Sequence, residues 1–159
     1  MFTDILVAID GSPHAAAALA QGYDLARHEG ARVTVVSAYQ PHPDWLSLVP
    51  EAARDDTVLK RARERTEAML REAASGAPTG LEVSTKLLEG SPADAILAEL
   101  QGAPYDLVVI GMRGRGGPAA GFLGSVSHAV LQRSPVPALV VRTKPSAAGQ
   151  APGTTSPLS

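Results

Sequence analysis

The residues of this sequence that could do chemistry are concentrated between positions 111 and 125, which read GMRGRGGPAAGFLGS. Six of these fifteen residues are glycines and two are arginines. Glycine allows backbone N–H groups to approach a ligand closely and to form concave nests for anions. The stretch follows an apolar run at 107–110 and leads into a helix predicted to begin at Ser125, whose unpaired N–H groups favour phosphate. This order of strand, glycine-rich loop and helix start predicts a phosphate site.

Two well-known phosphate motifs do not fit this loop. A P-loop is excluded because no Gly-Lys-Ser/Thr follows. Gly114, Gly116 and Ala119 match a degenerate dinucleotide fingerprint, but further glycines replace its helix and no acidic residue follows Asp106 to hold a ribose hydroxyl. A mobile connection with no ligand is the remaining alternative. The chain after Asp106 is locally cationic, which favours an anion site; its charged residues are Arg113, Arg115, Arg133, Arg142 and Lys144.

The elements around this loop alternate between strand and helix. Apolar and β-branched runs predict strands at 5–9, 32–39, 81–88, 105–111 and 137–142. Helices are predicted from Pro13 to Gly30 with Ser12 as N-cap, over about 51–74, after Ser91 with Asp94 completing a capping box, and over 125–134. The alternation predicts an α/β fold, a single doubly wound parallel sheet with helices on both faces.

Ligands of such sheets bind beyond the carboxyl ends of the strands, at the switch point of the topology. Two predicted loops leave those ends with suitable chemistry, the Asp10-Gly11-Ser12 segment after the first strand and the glycine loop after the fourth. The sequence therefore predicts one site built from both loops.

The spacing of three glycines in this stretch, Gly111-x2-Gly114-x9-Gly124-Ser125, resembles the nucleotide-binding signature of the universal stress protein family. The resemblance covers about residues 1–143 and includes ILVAIDGS, GSPADAIL and YDLVVIGMRGRGG. It implies one nucleotide-binding domain over 1–143 with strand order 3-2-1-4-5. It also implies ATP as ligand, with Mg²⁺ or Mn²⁺ held mainly by the phosphates, and a homodimer formed through strand 137–142. The tail at 144–159 is predicted to be disordered, because it is rich in Pro, Gly, Ser and Thr.

Carried over residue by residue, the resemblance implies contacts to adenine and ribose at the end of the first two strands, and contacts to ribose and phosphates in the glycine loop. A side chain at Gly114 or Gly124 is expected to occupy the phosphate space. The implied binding residues are Ala8, Ile9, Asp10, Ala38, Gly111, Met112, Arg113, Gly114, Gly124, Ser125, Val126 and Ser127.

Composition excludes several other classes of protein. The 159 residues suffice for one domain, and the absence of cysteine excludes disulfides and thiolate metal sites. A net charge of −2 argues against a general nucleic-acid binder. Neither a signal peptide nor a membrane span is predicted, so we expect a cytoplasmic protein without a membrane partner.

Catalytic residues are not predicted. Metal-assisted phosphoryl transfer needs carboxylates near the phosphates, and the sequence has none after Asp106. The four histidines, at 14, 28, 42 and 128, do not share metal-ligand spacing. We therefore expect an ATP-dependent stress-response or signalling module with little or no turnover. A slow ATP hydrolase and a nucleotide-independent dimeric interaction module remain as alternatives.

Overall fold

The structure is a computed structural model, and it describes residues 1–114 and 122–143. The strands are β1 (Asp4–Ala8), β2 (Arg32–Tyr39), β3 (Val83–Glu89), β4 (Leu107–Gly111) and β5 (Ala138–Val141). The helices are α1 (Pro13–Glu29), α2 (Asp56–Ser75), α3 (Pro92–Gly102) and α4 (Ser125–Arg133). The predicted tail at 144–159 lies outside the described residues.

The strands form one five-stranded parallel sheet in the order β3-β2-β1-β4-β5, which confirms the predicted fold and strand order. β1 pairs with β2 on one side, where Ile5 stands opposite Val33, and with β4 on the other, where Ile5 stands opposite Leu107. The two strands whose loops were predicted to build the site are therefore neighbours at the centre of the sheet.

Alternate residues of the central strands feed two separate cores. Ile5 and Val7 belong to the core beneath α1 and α2, whereas Leu6 and Ala8 belong to the core beneath α3 and α4. All four side chains are buried. Parallel sheets covered on both faces require such apolar strands, so the helices on the two faces leave only the strand ends for ligands.

The first helix begins and ends as the sequence predicts. Ser12 accepts a hydrogen bond from the Ala15 N–H at 3.2 Å, Pro13 occupies the first turn, and Gly30 ends the helix in the left-handed conformation with φ of 70°. Serine caps, N-terminal proline and C-terminal glycine each fit the unpaired groups of a helix end. The cap matters for the site because it fixes where α1 begins relative to β1.

Two local predictions were wrong. The second helix begins at Asp56 rather than near residue 51, because Pro50 precedes a separate 3₁₀ turn, Glu51–Ala53, and Asp55 caps the helix through the Thr57 N–H. The capping box of α3 does not form either. The Ser91 hydroxyl donates to Asp94 Oδ2 at 3.0 Å instead of bonding the helix backbone.

Within the described ranges, no helix combines the length and the apolar character needed to cross a membrane.

Candidate functional site

A pocket opens at the carboxyl ends of the central strands, where the chain leaves β1 towards one face of the sheet and β4 towards the other. Its floor is apolar and comes from the strands and α3, with Val36, Ile96 and Ile110 among its lining residues. Its rim is polar and comes from the two loops, with Asp10 and Arg113 among its lining residues. An apolar floor with a few polar groups at the rim is the usual composition of a small-molecule site.

The structure brings most of the predicted binding residues together in this pocket. Those that line it are Ala8, Ile9, Asp10, Ala38, Gly111, Arg113, Gly114, Val126 and Ser127. Met112, Gly124 and Ser125 lie beside it. The Met112 N–H donates to the Val141 carbonyl of β5, the Gly124 N–H donates to the Met112 carbonyl at 2.9 Å, and Ser125 is exposed at the start of α4. The predicted extra charge at Arg115 lies outside the described residues.

Sequence reasoning missed several lining residues, namely Ala15, Val36, Ser37, Pro92, Ile96 and Ile110. All of them lie on predicted strands or helices rather than in the two loops that were predicted to build the site. Pro92 follows the Ser91 that was read as a cap, and only the packing of α3 brings it to the pocket. Ile110 carried a usable signal, since it directly precedes Gly111 at the carboxyl end of a central strand.

The glycines of the signature are required by contacts within the protein. A methyl group built on Gly111 would lie 2.8 Å from the His14 carbonyl carbon and 2.9 Å from the Ala15 nitrogen, so β4 passes directly against the start of α1. A methyl group on Gly124 would lie 3.2 Å from the Arg113 Cα. Both positions hold backbone against backbone, and for Gly124 this is a different reason from the phosphate space expected from the sequence.

Gly114 differs from the other two glycines because its nearest neighbour is the side chain of Asp10, which lines the pocket. A methyl group there would lie 2.5 Å from Asp10 Oδ2. The other oxygen of Asp10 accepts a hydrogen bond from the Ser12 N–H at 2.9 Å. Gly11 lies between Asp10 and Ser12 in the sequence, and its φ of 81° suits glycine. The Asp10 carboxylate therefore connects the loop after β1 with the loop after β4.

Two buried serines secure the strand ends around the pocket. The Ser37 hydroxyl donates to the Ile9 carbonyl at 2.7 Å, and the Ser127 hydroxyl donates to the Gly111 carbonyl at 2.6 Å. Ser127 is only 2% exposed. Its hydroxyl proton is committed to the backbone, so towards a ligand it can only accept a hydrogen bond.

The cationic group at the rim is Arg113, which is half-buried. Its Nη2 atom lies 3.2 Å from His14 Nε2, and the Ser12 hydroxyl lies 3.4 Å from its carbonyl oxygen. The α4 helix, with its unpaired first N–H groups, begins next to this loop. Guanidinium and helix N-terminus together make this side of the pocket suited to an anion.

In residues 1–114 and 122–143 there is no group of three or more His, Asp and Glu side chains that could hold a metal ion. His14 contacts Arg113, which lines the pocket.

Comparisons with known proteins agree with the fold and show the family of the chain. Residues 1–142 match the sequence profile of the universal stress protein family. A universal stress protein of Thermus aquaticus is 44% identical over 145 residues, which cover 89% of this chain and 100% of that protein.

Two solved structures of the same family contain nucleotides. A universal stress protein in complex with cAMP is similar at 28% identity and a TM-score of 0.66, covering 90% of this chain and 99% of that one. A universal stress protein of Archaeoglobus fulgidus in complex with dAMP shares the fold, with a TM-score of 0.56 at 23% identity and coverage of 88% and 98%. Profile, identity and fold lead to one conclusion: this chain belongs to the universal stress protein family.

Proposed function

We propose that this protein is an ATP-binding universal stress protein that acts as a nucleotide-dependent stress-response or signalling module with little or no turnover. The observation that carries the proposal is the pocket at the switch point, where an apolar floor meets a polar rim that carries Arg113. The apolar floor suits a planar base, and the rim suits phosphates. A nucleotide combines these two chemistries in one ligand.

The base would lie against the apolar floor near Ala8, Val36 and Ile110, with Ala38 at its edge. The Asp10 carboxylate accepts hydrogen bonds, so it suits the exocyclic amino group of adenine or a ribose hydroxyl. Burial of an aromatic base against aliphatic side chains supplies affinity through the hydrophobic effect.

The phosphates would lie between Arg113, Gly114 and the start of α4 at Ser125. Charge-assisted hydrogen bonds from a guanidinium to phosphate are short and strong, and the first N–H groups of α4 add to them. We propose that Mg²⁺ or Mn²⁺ accompanies ATP and is held mainly by phosphate oxygens. The described residues contain no cluster of three or more His, Asp and Glu side chains that could form a dedicated metal site, which supports a metal ion bound through the phosphates.

The relative that binds cAMP supports an adenine nucleotide as the ligand class, since it is 28% identical and matches nearly its whole length. It also shows why the number of phosphates has to be tested. ATP, AMP and cyclic AMP share the base and ribose and differ in their phosphate groups, which would lie at the rim beside Arg113.

Mass spectrometry of nucleotide released from the purified, denatured protein tests the ligand, and titration calorimetry with ATP, AMP and cAMP ranks the candidates.

Gly114→Ala should weaken ATP binding at least about tenfold, because its methyl group would displace the Asp10 carboxylate. Gly102→Ala is the matched control, since no atom lies within 4 Å of the added methyl group. Equal affinity in both variants contradicts the site. Absence of binding in the unmodified protein favours the nucleotide-independent interaction module.

We propose slow turnover because the sequence has no Asp or Glu after Asp106, so neither the glycine loop nor α4 supplies a carboxylate beside the phosphates. We expect the isolated protein to hydrolyse ATP far below the ordinary enzymatic range of about 1–1000 s⁻¹. A steady-state rate within that range would favour the hydrolase alternative instead.

We also propose a homodimer through strand 137–142. β5 is at the edge of the sheet, and Leu139 is 38% exposed. The carbonyls of Pro137 and Val141 accept hydrogen bonds from β4, so by strand alternation the N–H of Val140 points away from the sheet. An open edge of this kind favours pairing with another chain.

Val140→Pro removes that outward N–H without removing a bond to β4, so it should convert dimers to monomers in light scattering. Leu131→Ala changes a side chain that is 46% exposed on α4 and serves as the control away from the edge. A monomeric unmodified protein at micromolar concentration would contradict the dimer.

The remaining expectations belong to the same proposal. We place the protein in the cytoplasm and its nucleotide-binding domain at residues 1–143, with neither nucleic acid nor membrane as a partner. Fractionation of cells that express the tagged full chain tests the location.

A further inference from the structure

His14 connects the rim of the pocket with the end of β5. Its Nε2 atom lies 3.2 Å from Arg113 Nη2, and its Nδ1 atom lies 3.2 Å from the backbone nitrogen of Thr143. Thr143 follows the last residue of β5 by two positions. One imidazole ring therefore lies between the cationic group of the candidate site and the edge strand.

Both neighbours of this ring are hydrogen-bond donors. A guanidinium and a backbone N–H carry protons and have no acceptor function towards a ring nitrogen. A neutral imidazole has one acceptor nitrogen and one N–H, and a protonated imidazole has no acceptor. His14 can therefore complete only one of its two contacts at any moment, and the tautomer decides which one.

We propose that His14 is a positioning residue for Arg113 and that its choice between Arg113 and Thr143 couples the pocket to the end of β5. With the proton on Nδ1, Nε2 accepts from Arg113 and fixes the guanidinium against α1. With the proton on Nε2, Nδ1 accepts from the Thr143 N–H and fixes the chain beyond β5. The two tautomers correspond to two arrangements of the rim.

The surrounding backbone makes the coupling short and stiff. Gly111 passes so close to the carbonyl of His14 that a single added methyl group would lie 2.8 Å away. The Met112 N–H already bonds the Val141 carbonyl at 2.6 Å. β4, the start of α1 and the end of β5 are thus held together at this point, and movement of one side chain is transmitted over a few contacts.

In its last step, the inference rests on the proposed function. A phosphate that draws the Arg113 guanidinium away would leave Nε2 without this donor, so the ring would take the Nε2–H tautomer and accept from Thr143. Nucleotide binding would then tighten the chain at the end of the edge strand.

The test uses the full chain labelled with ¹⁵N. The tautomer of His14 is read from the ¹⁵N shifts of its ring, and the exchange rate of the Thr143 amide with water is read in the same sample. Arg113→Met removes the competing donor and keeps an apolar stem. We expect the ring to move to the Nε2–H tautomer and Thr143 exchange to slow about fivefold, the effect of one hydrogen bond.

His14→Leu removes both ring nitrogens, and with them the acceptor for the Thr143 N–H, and should accelerate Thr143 exchange. His28→Leu is the control, because His28 lies on the same helix but in its last turn, far along the helix from His14. Its Nδ1 atom lies 2.7 Å from the Asp24 carbonyl oxygen. An unchanged tautomer together with unchanged Thr143 exchange in Arg113→Met overturns the proposal.

Saturating Mg-ATP separates this proposal from the proposed function. If calorimetry shows binding, the ring should shift in the same direction as in Arg113→Met, and a bound protein whose ring does not shift overturns the coupling. If calorimetry shows no binding, the nucleotide proposal has failed, while Arg113→Met still decides whether the two donors compete for His14.

Discussion

The two ends of the β1–β4 pair are built from different chemistry. At the amino ends, the Asp106 carboxylate accepts hydrogen bonds from the Thr3 N–H at 2.7 Å, the Thr3 hydroxyl at 2.8 Å and the Asp4 N–H at 3.2 Å. At the carboxyl ends, a close-packed glycine and buried serine hydroxyls hold the strand ends instead of a carboxylate, as at Gly111 and Ser127. One end closes the strand pair, and the other opens it into a pocket.

The difference shows how a central strand pair can be stable and still receive a ligand. A carboxylate with several donors ties two chains across the sheet where nothing has to enter. Buried serine hydroxyls saturate the carbonyls at the opposite end without filling space, so the strands can part towards opposite faces while their polar groups remain paired. Substitutions at either end of the β1–β4 pair test this difference, and those at the carboxyl end should lower the stability of the protein more.

Gly111→Ala should have the largest effect. Its methyl group would meet the backbone of His14 and Ala15, neither of which can rotate away, so β4 and α1 must separate. We expect a loss of about 2–3 kcal/mol in the free energy of unfolding, as for an overpacked core. Chemical denaturation of the purified variant measures this loss.

Gly102→Ala is the control for that substitution. The new methyl group has no neighbour within 4 Å at the last residue of α3, so the free energy should change by no more than about 0.5 kcal/mol. Equal stability of the two variants would show that β4 does not press on α1 as the structure describes.

Removal of the serine ties should have an intermediate effect. Ser127→Ala and Ser37→Ala each take a donor from a buried strand-end carbonyl, which costs about 1–2 kcal/mol. Ser75→Ala removes the same kind of bond, from a serine to the Arg71 carbonyl, at the exposed end of α2 and should cost little. If all three variants melt alike in calorimetry, burial does not set the value of these bonds.

The fold was largely predictable from sequence because its signals are local. The capping residues Ser12 and Gly30 predicted the two ends of α1, and apolar runs predicted the strands. The start of α2 was less predictable, since residues 51–55 carry charge and alanine that suit either a helix or the 3₁₀ turn that forms there. Pro50 was the local signal for the break.

The two loops of the candidate site were predictable from sequence, but the contacts that require their glycines were not. The spacing of the glycines located the carboxyl end of β4, but their close neighbours come from distant parts of the chain, as His14 does for Gly111. The roles of Ser37 and Ile96 depend on which strand and helix pack together. Such contacts arise from tertiary packing, which no local pattern encodes.

The tie at the amino ends should respond to pH. Partial burial acts to raise the pKa of Asp106, but the hydrogen bonds from Thr3 and Asp4 outweigh it, and the pKa is lower than that of an ordinary aspartate. The carboxylate therefore contributes stability that is fully present above the unfolded-state pKa of about 3.9 and is lost as pH falls through the lower folded-state value.

Asp106→Asn should have the smallest effect of the three and should remove that part of the acid sensitivity. At pH 7 the loss of charge-assisted bonds should lower the melting temperature by about 2–4 °C, the shift expected for about 1 kcal/mol in a chain of this size. The difference from the unmodified protein should shrink as pH falls below about 4, because the carboxylate then takes up a proton. Glu64→Gln, an exposed carboxylate on α2, changes net charge equally and controls for it. A pH-independent difference between Asp106→Asn and the unmodified protein would show that the bonds at this end of β1 and β4 owe nothing to the charge.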